Sequence, residues 1–151
     1  MATKLVKRGD LYYANLNPVI GSEQGEIRPI LVVQNDVGNK FSPTIVIVPI
    51  TCSLKKKHLP THVKIPTSCG LSTDSVALVE QIRTIDRSRF DGYIGHIGSE
   101  VQSKIDVALA ICVSIARPCA SKDESPVLCL CKYYESDFID SNTLGQKGDF
   151  V

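Results

Sequence analysis

Few side chains in this 151-residue chain are spaced to do chemistry, and the most suggestive is an arginine. Arg28 stands in "GSEQGEIRPILVVQND", between a polar loop with two glycines and an apolar run, directly before Pro29. A residue before proline is pushed into extended geometry, so the backbone at Arg28 is restricted. A guanidinium carries five donors in a planar fork and stays charged, which suits a phosphate or a developing oxyanion. The alternative is a surface arginine paired with Glu23 or Glu26. Thr51 closes "TIVIVPIT", just before Lys55, Lys56 and Lys57. A hydroxyl at a strand end beside three lysines can reach a phosphate, although threonine is also simply a good strand former.

Other reactive residue types do not assemble. His58 and His62 are four apart, but Pro60 between them rules out the helix face that a zinc pair would need. The six cysteines come without a secretory signal, so reduced thiols are expected. Cys129 and Cys131 form a CxC with no second ligand pair, which reads as burial before metal binding. There is no P-loop, GxGxxG, GxSxG or HExxH, and no metal or other cofactor is expected. Apolar runs fall short of a membrane span, and the start lacks a signal peptide, so a cytoplasmic protein is expected.

The elements that must position Arg28 and Thr51 are mostly strands. "GDLYYANL" (9–16), "PILVVQ" (29–34), "TIVIVPIT" (44–51), "THVKI" (61–65) and "GYIGHI" (92–97) carry strand chemistry. "NDVGNKFSP" reads as turns. Pro49 predicts an edge, a bulge or a bend in its strand. "SVALVEQIRTI" (75–85) reads as the longest strand, with Gln81 and Arg83 on one face and Glu80 and Ile82 on the other. One helix follows, with Ser99 as cap and Gln102 at capping-box spacing. Val101, Ile105, Ala108, Leu109, Cys112 and Ile115 or Ala116 share its apolar face, and Pro118 ends it. Short strands followed by a helix predict a mainly β (α+β) fold, a small antiparallel barrel with a C-terminal α-helix.

Net charge is +1, but its distribution is uneven. Residues 1–66 hold nine Lys/Arg against four Asp/Glu, whereas residues 119–151 hold three against six. A basic first half with an acidic tail fits a polyanionic partner, and fits equally a solvated Lys55-Lys56-Lys57 loop with no partner. The division expected is a domain over 1–118 and an acidic extension over 119–151 of unassigned role.

The segments "KRGDLYYANLNPVIGSEQGEIRPILVVQND", "TIVIVPIT", "LPTHV" and "LVEQIRTID" resemble, in order, the MazF/PemK/Kid family of toxin endoribonucleases, most of all its Gram-positive MazF branch. The likeness covers roughly residues 5–116. It implies an SH3-like barrel, a homodimer and metal-independent cleavage of single-stranded RNA. It also implies a MazE-like antitoxin whose extended segment fills the RNA groove. The family's catalytic arginine and threonine fall on Arg28 and Thr51. Ser22, Glu23 and Gln24 match the segment flanking the substrate, and His62 and Gln81 match groove-lining positions. Attack of a ribose 2′-hydroxyl on its own 3′-phosphate would leave a 2′,3′-cyclic phosphate and a 5′-hydroxyl. Glu23 and a desolvated water stand as candidates for the general base. The loop in "PITCSLKKKH" departs from close relatives, which leaves base preference open. Two other readings use the same barrel: a non-catalytic toxin that poisons gyrase, and a plain nucleic-acid-binding domain.

Overall fold

The structure is a computed structural model that describes residues 5–52 and 59–115. Lys55, Lys56, Lys57, His58, Pro118, Cys119, Cys129 and Cys131 lie outside the described residues. The chain divides after Val113 into two units, and every element described here lies in the first.

The elements run β1 (Asp10–Asn15), β2 (Ile27–Val32), α1 (Asp36–Phe41), β3 (Thr44–Thr51), β4 (His62–Ile65), β5 (Ser75–Leu78), β6 (Arg83–Asp86), β7 (Phe90–His96) and α2 (Ser99–Cys112). The pairing order is β4-β5-β3-β2-β1-β7, with β6 also on β3. All pairs are antiparallel. The order β7 to β4 does not close by a hydrogen-bonded ladder, but its ends meet. On β7, a Cβ at Gly95 would stand 1.9 Å from the carbonyl oxygen of Cys69, in the turn after β4, so only glycine fits. The expected barrel-like architecture with a C-terminal helix is what the chain forms.

Two apolar clusters fill the two faces. Leu11, Leu31, Val48, Ile50, Val63 and Ile65 pack with Ile105 and Ala108 of α2 on one. Tyr12, Ala14, Leu16, Ile30, Ile45, Ile47 and Ile85 pack on the other. This alternation along β1, β2 and β3 is the period-2 pattern of a sheet buried on both sides.

Four expectations change. Helix α2 ends at Cys112, ahead of a left-handed Ser114 (φ 56°), instead of running on to Pro118, and Ile115 is exposed instead of lying on its apolar face. The run 75–86 is not one strand: a 3₁₀ turn, Val79–Gln81, separates β5 from β6. Both strands pair with β3, Ala77 facing Ile50 and Arg83 facing Ile47, so the register steps by the three residues of the turn. That step falls beside Val48 and Pro49, where proline offers no N–H to a ladder. Pro49 thus marks a bend in an interior strand, and Gln81 and Arg83 do not share a strand face. The "turn" segment contains α1, with Asn35 as N-cap accepting from Gly38 N–H at 2.9 Å. The N-cap of α2 is Gly98, so Ser99 begins the helix without capping it. The Gln102 side chain reaches forward to Asp106 at 2.9 Å and closes no capping box.

Candidate active site

The β1–β2 connection and β2 place Arg28. Strand β2 begins at Ile27, two residues before the expected start, so the arginine belongs to the strand. It is half-buried opposite Ala14 of β1. Its Nε donates to the Gly25 carbonyl at 2.5 Å, and one Nη donates to Gln24 Oε1. Among the described residues Arg28 makes no ion pair with Glu23 or Glu26, so the surface-salt-bridge alternative is not what holds it.

Arg28 is held by the loop before it, and the loop is itself tied down. Gln24 N–H donates to Gln81 Oε1 at 2.8 Å, which links the loop to the 3₁₀ turn. Leu16 N–H donates to Glu26 O at 3.0 Å, and Glu26 N–H to Asn17 Oδ1 at 3.0 Å. Glu26 holds a left-handed φ of 65°, costly for a residue with a Cβ. Gly25 is needed here, because an added Cβ would meet Asn17 Oδ1 at 2.7 Å and Val19 Cγ2 at 2.8 Å. Glu23 turns its carboxylate back on Ile20 N–H at 3.1 Å. Ser22 is exposed.

Thr51 sits half-buried at the last residue of β3, facing Val76 of β5. The β2–β3 ladder pairs Val32 with Ile47, Leu31 with Val48 and Ile30 with Pro49. The paired register ends at Ile30 and Pro49, and Arg28 and Thr51 each lie two residues beyond that pair, toward the same end of β2 and β3. Side chains two apart share a face, so both follow Ile30 and Pro49.

His62 opens β4, facing Leu78. Leu59 N–H donates to its Nδ1 at 3.1 Å, so Nε2 carries the proton and donates to Glu80 Oε1 at 2.9 Å. Thr61 Oγ1 donates to Glu80 Oε2 at 2.9 Å. Both ring nitrogens of His62 are therefore engaged inside the protein, and its side chain is only 5% exposed. The ring acts as a support that fixes Glu80 beside Gln81. Glu80, Gly25 and Asn17 escaped the sequence reading. Glu80 reaches Thr61 and His62 across strands, and no local spacing signals that. Gly25 was visible only as one of two loop glycines.

The candidate site thus takes Arg28, Thr51, Gln24 and Gln81 from two strands, one loop and one 3₁₀ turn. Ser22 and Glu23 lie on the same loop, away from the guanidinium's bonds. Among the described residues no group of three or more His, Cys, Asp or Glu is placed to hold a metal ion.

A small antiparallel sheet that carries an arginine and a threonine at neighbouring ends of two paired strands, with a helix after it, defines the class. Residues 7–113 match the family described as PemK-like, MazF-like toxin of type II toxin-antitoxin system, and the chain belongs to that family. It is 52% identical over 112 residues to Endoribonuclease EndoA of Bacillus subtilis (strain 168), covering 74% of this chain and 97% of that protein. Among solved structures, MazF (Form-I) from Deinococcus radiodurans is similar with a TM-score of 0.65 and 26% identity, over 74% of this chain and 99% of that one. A chain of MazE-MazF (Form-II) from the same organism is similar with a TM-score of 0.61 and 26% identity, over 76% and 100%.

Proposed function

We propose that this type II toxin is a cytoplasmic endoribonuclease that cuts single-stranded RNA through Arg28 and Thr51. The observation that carries the reading is that both lie just past the last β2–β3 pair, Ile30 with Pro49, at neighbouring strand ends, with the Arg28 fork oriented by Gly25 and Gln24. The likeness to an endoribonuclease supports the reaction class.

The attacking group is the ribose 2′-hydroxyl. It gives its proton to Glu23 or water and closes on the adjacent phosphorus, the bond to the 5′-oxygen breaks, that oxygen takes up a proton, and a 2′,3′-cyclic phosphate and a 5′-hydroxyl result. Charge builds on the phosphoryl oxygens in the transition state. A planar, permanently charged donor set stabilises that charge more than it stabilises the ground state. Thr51 donates one hydrogen bond to a phosphoryl oxygen and sets the line of attack. Gln24 and Gln81 hold the loop that orients the fork, while Ser22 and Glu23 flank the substrate. His62 contributes by fixing Glu80. DNA lacks the attacking hydroxyl and is not cut. The cognate partner is a MazE-like antitoxin that covers the same groove, in keeping with the MazE-MazF likeness, and the toxin works as a homodimer. The catalytic unit spans 1–118, and 119–151 is an appendage.

The test is incubation of the purified chain with a long RNA in EDTA, followed by mapping of the new ends. Cleavage that persists, with cyclic phosphate (or 3′-phosphate) and 5′-hydroxyl ends, is expected. Ends bearing 5′-phosphate, or loss of cutting on chelation, would overturn the mechanism.

A further inference from the structure

The strand registers extend the site beyond its two central residues. Thr51 of β3 faces Val76 of β5, and Val76 faces Lys64 of β4. Carrying the β2–β3 register on by two residues from the Ile30–Pro49 pair brings Arg28 to Thr51, and one row then runs Arg28, Thr51, Val76, Lys64 across four neighbouring strands. Directly opposed residues of antiparallel strands share a face, so all four side chains rise from the same surface. Their exposure agrees: the first three are half-buried and Lys64 is exposed. The flanking residues of the other face, Ile50, Ala77, Val63 and Ile65, are buried in the cluster under α2.

Lys64 is distinctive within this row. Among the described residues its ammonium has no ion pair and no hydrogen bond, whereas Lys104 on α2 is paired with Glu100 at 3.1 Å. Three strand spacings of about 4.8 Å put Lys64 roughly 14 Å from Arg28. That is too far to touch the same phosphate and suits a neighbouring one along an extended strand. Between the two cations Val76 presents apolar surface on which a base or ribose can lie. The next row along the same face ends in His62, whose Nε2 holds the Glu80 carboxylate. Its negative charge turns a phosphate backbone away from that row and toward Lys64.

We propose that Lys64 is a binding residue for a phosphate flanking the cut, and that the RNA strand crosses β2, β3, β5 and β4 along this row. The inference rests on the endoribonuclease reading and names the path its substrate takes. A lysine at such a place acts as a point charge. It contributes affinity without reading bases, and its contribution fades with salt as counterions return.

The experiment measures binding of the full chain to a single-stranded 2′-O-methyl oligoribonucleotide pool, which cannot undergo 2′-hydroxyl attack, over a range of salt concentrations. Lys64→Ala is expected to lower the slope of log affinity against log salt by about 0.7 for each lost phosphate contact on a single strand. Lys64→Arg is expected to keep the slope, and Lys104→Ala, on the far side of the sheet, to leave it unchanged. An unaltered slope in Lys64→Ala would overturn the proposal, as would an equal drop in Lys104→Ala, which would show a general effect of net charge. The two readings fail separately. If the wild-type chain cuts RNA while Lys64→Ala keeps its slope, the path is wrong and the nuclease stands. If the slope falls as expected but the wild type cuts no RNA, the path stands as a nucleic-acid surface and the nuclease reading falls.

Discussion

On the proposed mechanism the Arg28 guanidinium serves both structure and chemistry, and the two roles separate by magnitude. Its Nε and one Nη hold the loop through Gly25 and Gln24. Losing those bonds in Arg28→Ala should cost about 1–2 kcal/mol at a half-exposed position, leaving the chain folded by thermal denaturation. Losing a donor to the transition state should cost on the order of a hundred- to a thousand-fold in rate. Arg28→Lys should recover little, because a point charge cannot reach Gly25, Gln24 and a phosphate together. Thr51→Ala should also slow cutting, and the double variant should lose less than the product of the two single losses, since residues acting on one phosphate are not additive. A folded Arg28→Ala that cuts at the wild-type rate would remove the arginine from the mechanism. The arginine was legible in the sequence because Arg28-Pro29 constrains the backbone locally. Its partner Gln24 was legible only as a loop residue matched to the family, since a hydrogen bond to a side chain four residues away in a loop leaves no periodic signal. The bonds that hold His62 were not legible. Its two ring nitrogens are committed by Leu59, three residues away, and by Glu80, which only the β4–β5 pairing brings near.

At the level of elements, the loop from Leu16 to Glu26 and the 3₁₀ turn Val79–Gln81 act as one support for the site. Gly25→Ala tests that support without touching the reacting groups. The new Cβ forces Asn17 or Val19 aside, and the Glu26–Asn17 bond is the first to break. Stability should fall by about 1 kcal/mol, the cost of one such bond. Cleavage should fall by roughly ten- to a hundred-fold, because a displacement near 1 Å is enough to spoil alignment. Steady-state kinetics beside a thermal melt checks both. A melt shift with no kinetic loss would mean that the loop does not position Arg28. Strands β1 and β3 were legible because their apolar residues alternate or run continuously between turn residues. The break in 75–86 was not, because Val79 and Ile82 continue the apolar pattern across it. Pro49, on the strand opposite, is what makes the three-residue step acceptable there. Helix α1 was missed because half of its six residues are turn formers, although Asn35, Asp36 and Lys40 are placed as a helix's cap and charged ends require.

For the whole molecule, the apolar side chains left outside both clusters bear on assembly. Ile20 is 82% exposed and Ile27 61%, both beside the site loop, and Phe41 on α1 is 73% exposed. Twofold association is the commonest way to cover such surface. Sedimentation at micromolar concentration should therefore show a symmetric dimer, and a monomer would refute it. The extension is a separate matter. The family match ends at Val113, and the B. subtilis relative is covered to 97% of its length by 112 residues of this chain. Most of 119–151 thus has no counterpart in that relative, and its charge, three Lys/Arg against six Asp/Glu, opposes binding to a polyanion. A chain truncated after Arg117 keeps α2 through Cys112 and every residue assigned to the site, so it should fold and cut RNA at least as fast as the full chain. Removing net negative charge should also raise its affinity for RNA slightly at low salt, a gain that disappears as screening shortens the reach of the lost carboxylates. Comparing cleavage rates of the two forms across salt, with circular dichroism to establish folding, decides the question. A truncated chain that folds yet no longer cuts would place 119–151 within the catalytic unit and end its description as an appendage.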